Sequence, residues 1–168
     1  MTDLLNPRPV AVLDDDVQFI RMVERILKTD GLQIQPVTTP DLDEAARVVA
    51  MTNCRVALVD IYMYGEAAGF ELIERLRQQP MTANLPLIVT SGAYREIARH
   101  VPFLQHHRCS ILPKPFEVDA LISQIHHAHA GDAPLQTPAP EESDEWSDRH
   151  PGSWRFLANP LRRVERTA

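Results

Sequence analysis

Sulfur is scarce in this sequence: the only cysteines of the 168 residues, Cys54 and Cys109, stand far apart with no second pair. A disulfide framework or a thiolate zinc site needs paired or clustered cysteines, so neither is expected, and both thiols read as reduced bystanders. Long apolar runs are also missing. No stretch reaches the roughly eighteen apolar residues that a membrane-spanning helix needs. The opening Met1-Thr2-Asp3-Leu4-Leu5-Asn6-Pro7 lacks the basic and apolar regions of a secretion signal. No membrane association and a cytoplasmic location are therefore expected. Positive charge is in deficit too, with 17 Lys and Arg against 23 Asp and Glu for a formal net charge of −6. That balance opposes the phosphate attraction on which nucleic-acid binding depends, so no nucleic-acid partner is expected.

What is present suits a packed core: 44% of the residues are hydrophobic, on a chain long enough for one domain and an extension. Between Arg8 and Gly131, short apolar runs alternate five times with helical patterns, as in a parallel sheet covered on both faces. Strands are expected at Arg8–Leu13, Gln33–Val37, Arg55–Val59, Leu87–Thr90 and Ser110–Leu112. Several are almost wholly apolar, as buried parallel strands should be.

Five helices are expected between and after them. In Val17–Lys28, Phe19, Ile20, Val23, Ile26 and Leu27 form one stripe, Asp16 is a helix cap, and Asp30-Gly31 is a stop. Thr39-Pro40 starts the second. Gly69–Gln79 is the third, burying Phe70, Ile73 and Leu76 with Glu71 and Arg75 paired on its wet side. The fourth, from about Tyr94, is expected to be short or mobile, because Pro102 lacks a backbone donor and should end or kink it. The last, Glu117–Ala130, places Val118, Leu121, Ile122 and Ile125 on one face. The reading is α/β, a doubly wound five-stranded parallel sheet with five helices over residues 8–131.

Residues 132–148 shift to Pro, Ala, Ser, Asp and Glu, with six acids and no base, and read as an extended linker. Residues 149–168 carry five arginines, one glutamate and several aromatic or apolar residues, and are too short to fold alone. They are expected to be disordered or docked on a partner.

In such a sheet, ligands bind beyond the carboxyl ends of the strands. The first strand ends in Asp14-Asp15-Asp16, the third in Asp60, the fourth in Thr90-Ser91-Gly92, and the fifth runs into Pro113-Lys114-Pro115. Clustered carboxylates repel one another, and a hard divalent cation relieves that repulsion; Mg²⁺ accepts a few carboxylates and keeps waters for an incoming phosphoryl oxygen. Beside such a cation a carboxylate can attack phosphorus while a lysine and a hydroxyl hold the equatorial oxygens.

The runs Val10-Ala-Val-Leu-Asp-Asp-Asp, Val56-Ala-Leu-Val-Asp60, Ile88-Val-Thr-Ser91-Gly92 and Leu112-Pro-Lys114-Pro-Phe116 together closely resemble the response-regulator receiver family, over roughly residues 8–130. Each run is weak alone, but four in order on the right strands are specific. The resemblance implies a flavodoxin-like fold with strand order 2-1-3-4-5 and a Mg²⁺-dependent two-component switch, chemotaxis-regulator-like. It is no enzyme beyond its own phosphorylation and dephosphorylation. Asp60 would be the phosphoacceptor, Asp14 and Asp15 its partners on the metal, Tyr62 a metal ligand through its backbone carbonyl, Ser91 the switch hydroxyl and Lys114 the phosphate contact. Phosphate would come from a histidine kinase or phosphotransfer protein, and a downstream protein would read the result. With no output domain in view after residue 131, a stand-alone receiver is expected.

Three positions depart from the family pattern. Tyr64 stands where a proline is common, and an extra residue precedes Gly69, so a longer and more mobile loop is expected. Ile111 stands where an aromatic residue usually turns inward, which should weaken coupling. Tyr62 places a ring where it could obstruct an in-line water and slow loss of the acyl phosphate.

Two other functions compete. A pseudo-receiver adaptor that no longer uses phosphate fits the departures, although the intact acids, Ser91 and Lys114 oppose it. A phosphatase like the haloacid dehalogenases fits Asp14-x-Asp16, but Gln18 stands where that family expects Thr or Val. The histidines are read blandly: His126, His127 and His129 as a solvated helix end favoured by the dipole, His106 and His107 as loop residues.

Overall fold

The computed structural model describes residues 8–134. The expected division into a domain, an acidic linker and an arginine-rich tail falls, after residue 134, outside the described residues.

Five strands are seen: β1 (Val10–Leu13), β2 (Ile34–Val37), β3 (Val56–Val59), β4 (Leu87–Val89) and β5 (Cys109–Ile111). They pair in parallel in the order β2-β1-β3-β4-β5. Every residue of β1, β3, β4 and β5 is buried, because helices cover both faces and no side of those strands meets water. One face packs under α1 (Val17–Thr29) and α6 (Val118–His129), with Phe19, Ile20, Val23, Leu27, Leu121 and Ile125 against Val12, Leu58 and Ile88. The other packs under α2 (Leu42–Thr52), α3 (Ala68–Gln78), α4 (Tyr94–Arg99) and α5 (Val101–His106).

The described residues thus hold six helices, not five. The expected fourth helix is two, broken at His100, and Pro102 lies in the first turn of α5 rather than ending anything. A first-turn residue has no intrahelical acceptor for its N–H, so proline is tolerated there. Two smaller expectations also give way. Thr39-Pro40 precede α2 without starting it. Asp41 is the cap, its carboxylate accepting from the N–H groups of Asp43 and Glu44. Val118, expected on the apolar face of α6, is 45% exposed, since it lies at the open first turn.

Other local rules hold. Asp16 caps α1 by accepting from Gln18 and Phe19. Arg75 pairs with Glu71 at 2.6 Å and also reaches Asp43 of α2. Cys54 and Cys109 are free and buried, and burial pushes their thiols up to about 11 and about 12, away from reactive thiolate. Among the described residues no helix is long and apolar enough to cross a membrane.

Candidate functional site

The strand register decides what meets at the carboxyl end of the sheet. Leu13 pairs with Val59 and Val59 with Val89, so the residues that follow, Asp14, Asp60 and Thr90, stand abreast on three neighbouring strands. The ladder continues through them: Asp60 N–H donates to Leu13 O and Thr90 N–H to Val59 O. Farther along, Lys114 N–H donates to Ser91 O at 3.1 Å, which turns the lysine back over the sheet end.

Lys114 Nζ then donates to Asp14 Oδ2 at 2.6 Å and to Asp60 Oδ2 at 2.8 Å. It also lies 3.7 Å from the ring centroid of Phe19 on α1, an attraction between a cation and the ring face. Phe116 packs edge-on against Phe19 and backs that ring. The other oxygens are held by main chain: Asp14 Oδ1 accepts from Asp16 N–H at 2.8 Å, and Asp60 Oδ1 from Tyr62 N–H at 2.9 Å. Burial raises the Asp14 carboxyl above its usual range despite the opposing hydrogen bond from Lys114, and the charge of Asp60 adds to the rise.

Asp15 is exposed, and its Oδ2 accepts from Tyr64 N–H at 2.7 Å. The loop from Asp60 to Ala67 closes on itself. Met63 and Glu66 exchange both main-chain hydrogen bonds around Tyr64 (φ +55°) and Gly65 (φ +80°), a two-residue turn with both central residues left-handed.

Of the residues expected at the site, Asp14, Asp60 and Lys114 are in direct contact and Asp15 lies at the rim. Ser91 is buried, and its Oγ accepts from Ala93 N–H at 3.2 Å, an acceptor role that leaves its O–H able to donate. Its neighbour Thr90 was passed over in the sequence. It is 1% exposed, in register with Asp60, and its Oγ1 has no hydrogen-bond partner. Strand alternation puts two adjacent hydroxyls on opposite sides of the sheet, and the register places Thr90 on the side of Asp60. Two further contributors gave no sequence signal. Phe19 read only as core. Gly69, by contrast, packs so closely that a Cβ there would meet Asp60 O at 2.3 Å and Ile61 Cα at 2.6 Å.

A cation's fit can be judged from the donors. All are oxygens: two buried carboxylates held close by one ammonium, a third at the rim and an orphaned hydroxyl. That set suits a hard ion that keeps water ligands. Among the described residues no three His, Cys, Asp or Glu side chains are gathered closely enough to hold a metal ion by themselves.

The histidines lie elsewhere. His126 bonds Asp30 at the end of α1, at 2.5 Å, while His106 and His107 join an aromatic group with Phe103 and Phe70.

The family model described as the response regulator receiver domain matches residues 10–126. The chain belongs to the response-regulator receiver family. Among curated proteins, this receiver is 26% identical over 118 residues to the phosphate regulon transcriptional regulatory protein PhoB of Escherichia coli, covering 70% of this chain and 50% of PhoB. It is 27% identical over 116 residues to the regulatory protein VirG of Rhizobium rhizogenes, covering 69% of this chain and 46% of VirG. The chain therefore spans about half the length of the curated relatives it matches. Among solved structures, the receiver domain of the Francisella response regulator 1452 superposes with a TM-score of 0.62 at 26% identity, over 75% of this chain and 98% of that one. Receivers are signalling modules of two-component systems, a class phosphorylated on aspartate, and the expected strand order is the one found.

Proposed function

We propose that this receiver takes a phosphoryl group onto Asp60 from a histidine kinase or phosphotransfer protein in the cytoplasm and signals to a downstream protein by contact. Mg²⁺ would be held by Asp14, Asp15, Asp60 and the main-chain carbonyl of Tyr62. The observation that carries this reading is the ammonium of Lys114 bridging the carboxylates of Asp14 and Asp60 at 2.6 and 2.8 Å.

In the step proposed, an Asp60 oxygen forms the new O–P bond as the N–P bond to the donor imidazole breaks, and the imidazole takes up a proton. The cation supplies charge neutralisation for the carboxylates and the incoming oxygens. Lys114 exchanges a carboxylate oxygen for a phosphoryl oxygen, as an ammonium with three donors can. A second phosphoryl oxygen is met by a hydroxyl at the end of β4, that of Ser91, the switch hydroxyl of this reading, or that of its neighbour Thr90, which is unpartnered. In this reading Tyr62, 50% exposed two residues after Asp60, obstructs an in-line water and slows loss of the phosphoryl group. Tyr62→Asn then shortens the phosphoprotein's lifetime, and an unchanged lifetime refutes that role.

The test is incubation with Mg²⁺ and acetyl phosphate, followed by intact mass. A labile adduct on the wild type that Asp60→Asn lacks supports the reading. No adduct on either favours the phosphate-independent adaptor. Steady turnover of a phosphomonoester favours a phosphatase.

A further inference from the structure

Tyr64 differs from what surrounds it in two ways. It is a bulky residue in a left-handed conformation, which such residues rarely adopt unless neighbours enforce it. Its two polar groups also reach in different directions. The main-chain N–H donates to Asp15 Oδ2 at 2.7 Å, and the hydroxyl donates to the carbonyl of Thr38, just past β2.

The strand order gives this pair of contacts a meaning. In β2-β1-β3 the strand between the two anchor points is β1, which ends in Asp14 and Asp15. Neighbouring strands are about 4.8 Å apart, so a link from the loop after β3 to the loop after β2 must pass over the end of β1. The ring of Tyr64 spans that gap.

We infer that Tyr64 is a positioning residue for Asp15: the left-handed turn at Tyr64 aims its main-chain N–H at one Asp15 oxygen, leaving the other free to face a cation. The inference rests on the cation reading proposed above. Carboxylates that bind metals are themselves oriented by hydrogen bonds, and losing such a bond typically weakens metal binding roughly 10–100-fold. Proline, common in the family at this position, has no N–H to give and cannot take a positive φ, so the contact depends on the residue found here.

The test is the affinity of the full chain for Mg²⁺ alone, by calorimetry without phosphodonor, in wild type, Tyr64→Pro and Tyr64→Gly. Glycine keeps the N–H and the left-handed turn; proline removes both. The expected result is a roughly ten-fold or greater loss for proline and a loss under about three-fold for glycine. Equal affinity in proline variant and wild type overturns the inference, as does a glycine variant that loses as much as proline. Because the proline variant could unfold, amide hydrogen exchange at Tyr64 is compared in metal-free wild type and Asp15→Ala. Faster exchange in Asp15→Ala supports the contact, and unchanged exchange overturns it. Wild type that binds no Mg²⁺ overturns the cation reading itself, an outcome visible before any variant is compared.

Discussion

The ammonium of Lys114 lies 2.6 Å from an oxygen of Asp14 whose side chain is only 1% exposed. Removing one partner of a buried ion pair leaves the other charged without compensation, which typically costs about 3–5 kcal/mol. Lys114 is itself 21% exposed, so the lower end applies. Lys114→Met should therefore lower stability by roughly 3 kcal/mol at pH 7 in urea denaturation. A loss under about 1 kcal/mol would show that water reaches the acids and screens them.

Asp14 also makes stability depend on pH. Burial raises its folded-state pKa above the unfolded value, so the folded protein holds this proton more tightly than the unfolded chain does. Asp14 thus contributes most stability below its unfolded pKa, and that contribution is lost as pH rises through the raised folded value. Asp14→Asn, which stays neutral, should have a higher urea midpoint than wild type at pH 7, with the gap closing towards pH 4. A gap that widens in acid would mean that Lys114, and not burial, governs this carboxyl.

Gly69, in the first turn of α3, has its Cα against the main chain of Asp60 and Ile61, and its N–H donates to Ile61 O at 3.0 Å. The atoms a methyl group would strike are backbone, which cannot swing aside. Gly69→Ala should lower stability by about 1–3 kcal/mol, the usual range for overpacking, and should slow phosphorylation by displacing Asp60. Thermal melting and the acetyl phosphate assay together check this. An unchanged melting temperature would mean that α3 can move away from the strand end without loss.

The parts of this molecule written in periodicity were legible in the sequence. All five strands appear within two residues of their expected starts, because apolar runs such as Val10–Leu13 fit buried parallel strands and little else. The acids and Lys114 were legible because strand ends in a parallel sheet face one site. What was not legible depends on distances between segments. Nothing in the run Thr90-Ser91 names which hydroxyl faces Asp60 until the register is known. Nothing around Tyr64 announces that its hydroxyl reaches Thr38, and Pro102 reads equally as the end of one helix or the start of the next.

Thr90 offers the sharpest separation of stability from function. Its hydroxyl is buried and unpartnered, and a buried polar group without a hydrogen bond costs about 1–3 kcal/mol. Thr90→Val keeps the shape and removes that penalty, so the variant should be as stable as wild type or more so, by up to roughly 1 kcal/mol in urea. If that hydroxyl serves a phosphoryl oxygen, the same variant should accept phosphate from acetyl phosphate more slowly, on the order of 100-fold, the usual cost of losing one donor to a developing charge. Ser91→Ala gives the comparison, because its Oγ accepts from Ala93 N–H yet its O–H can still donate, so the two variants decide which hydroxyl serves the phosphoryl group. A Thr90→Val protein that is phosphorylated at the wild-type rate, beside a Ser91→Ala protein that is not, would assign the role to Ser91.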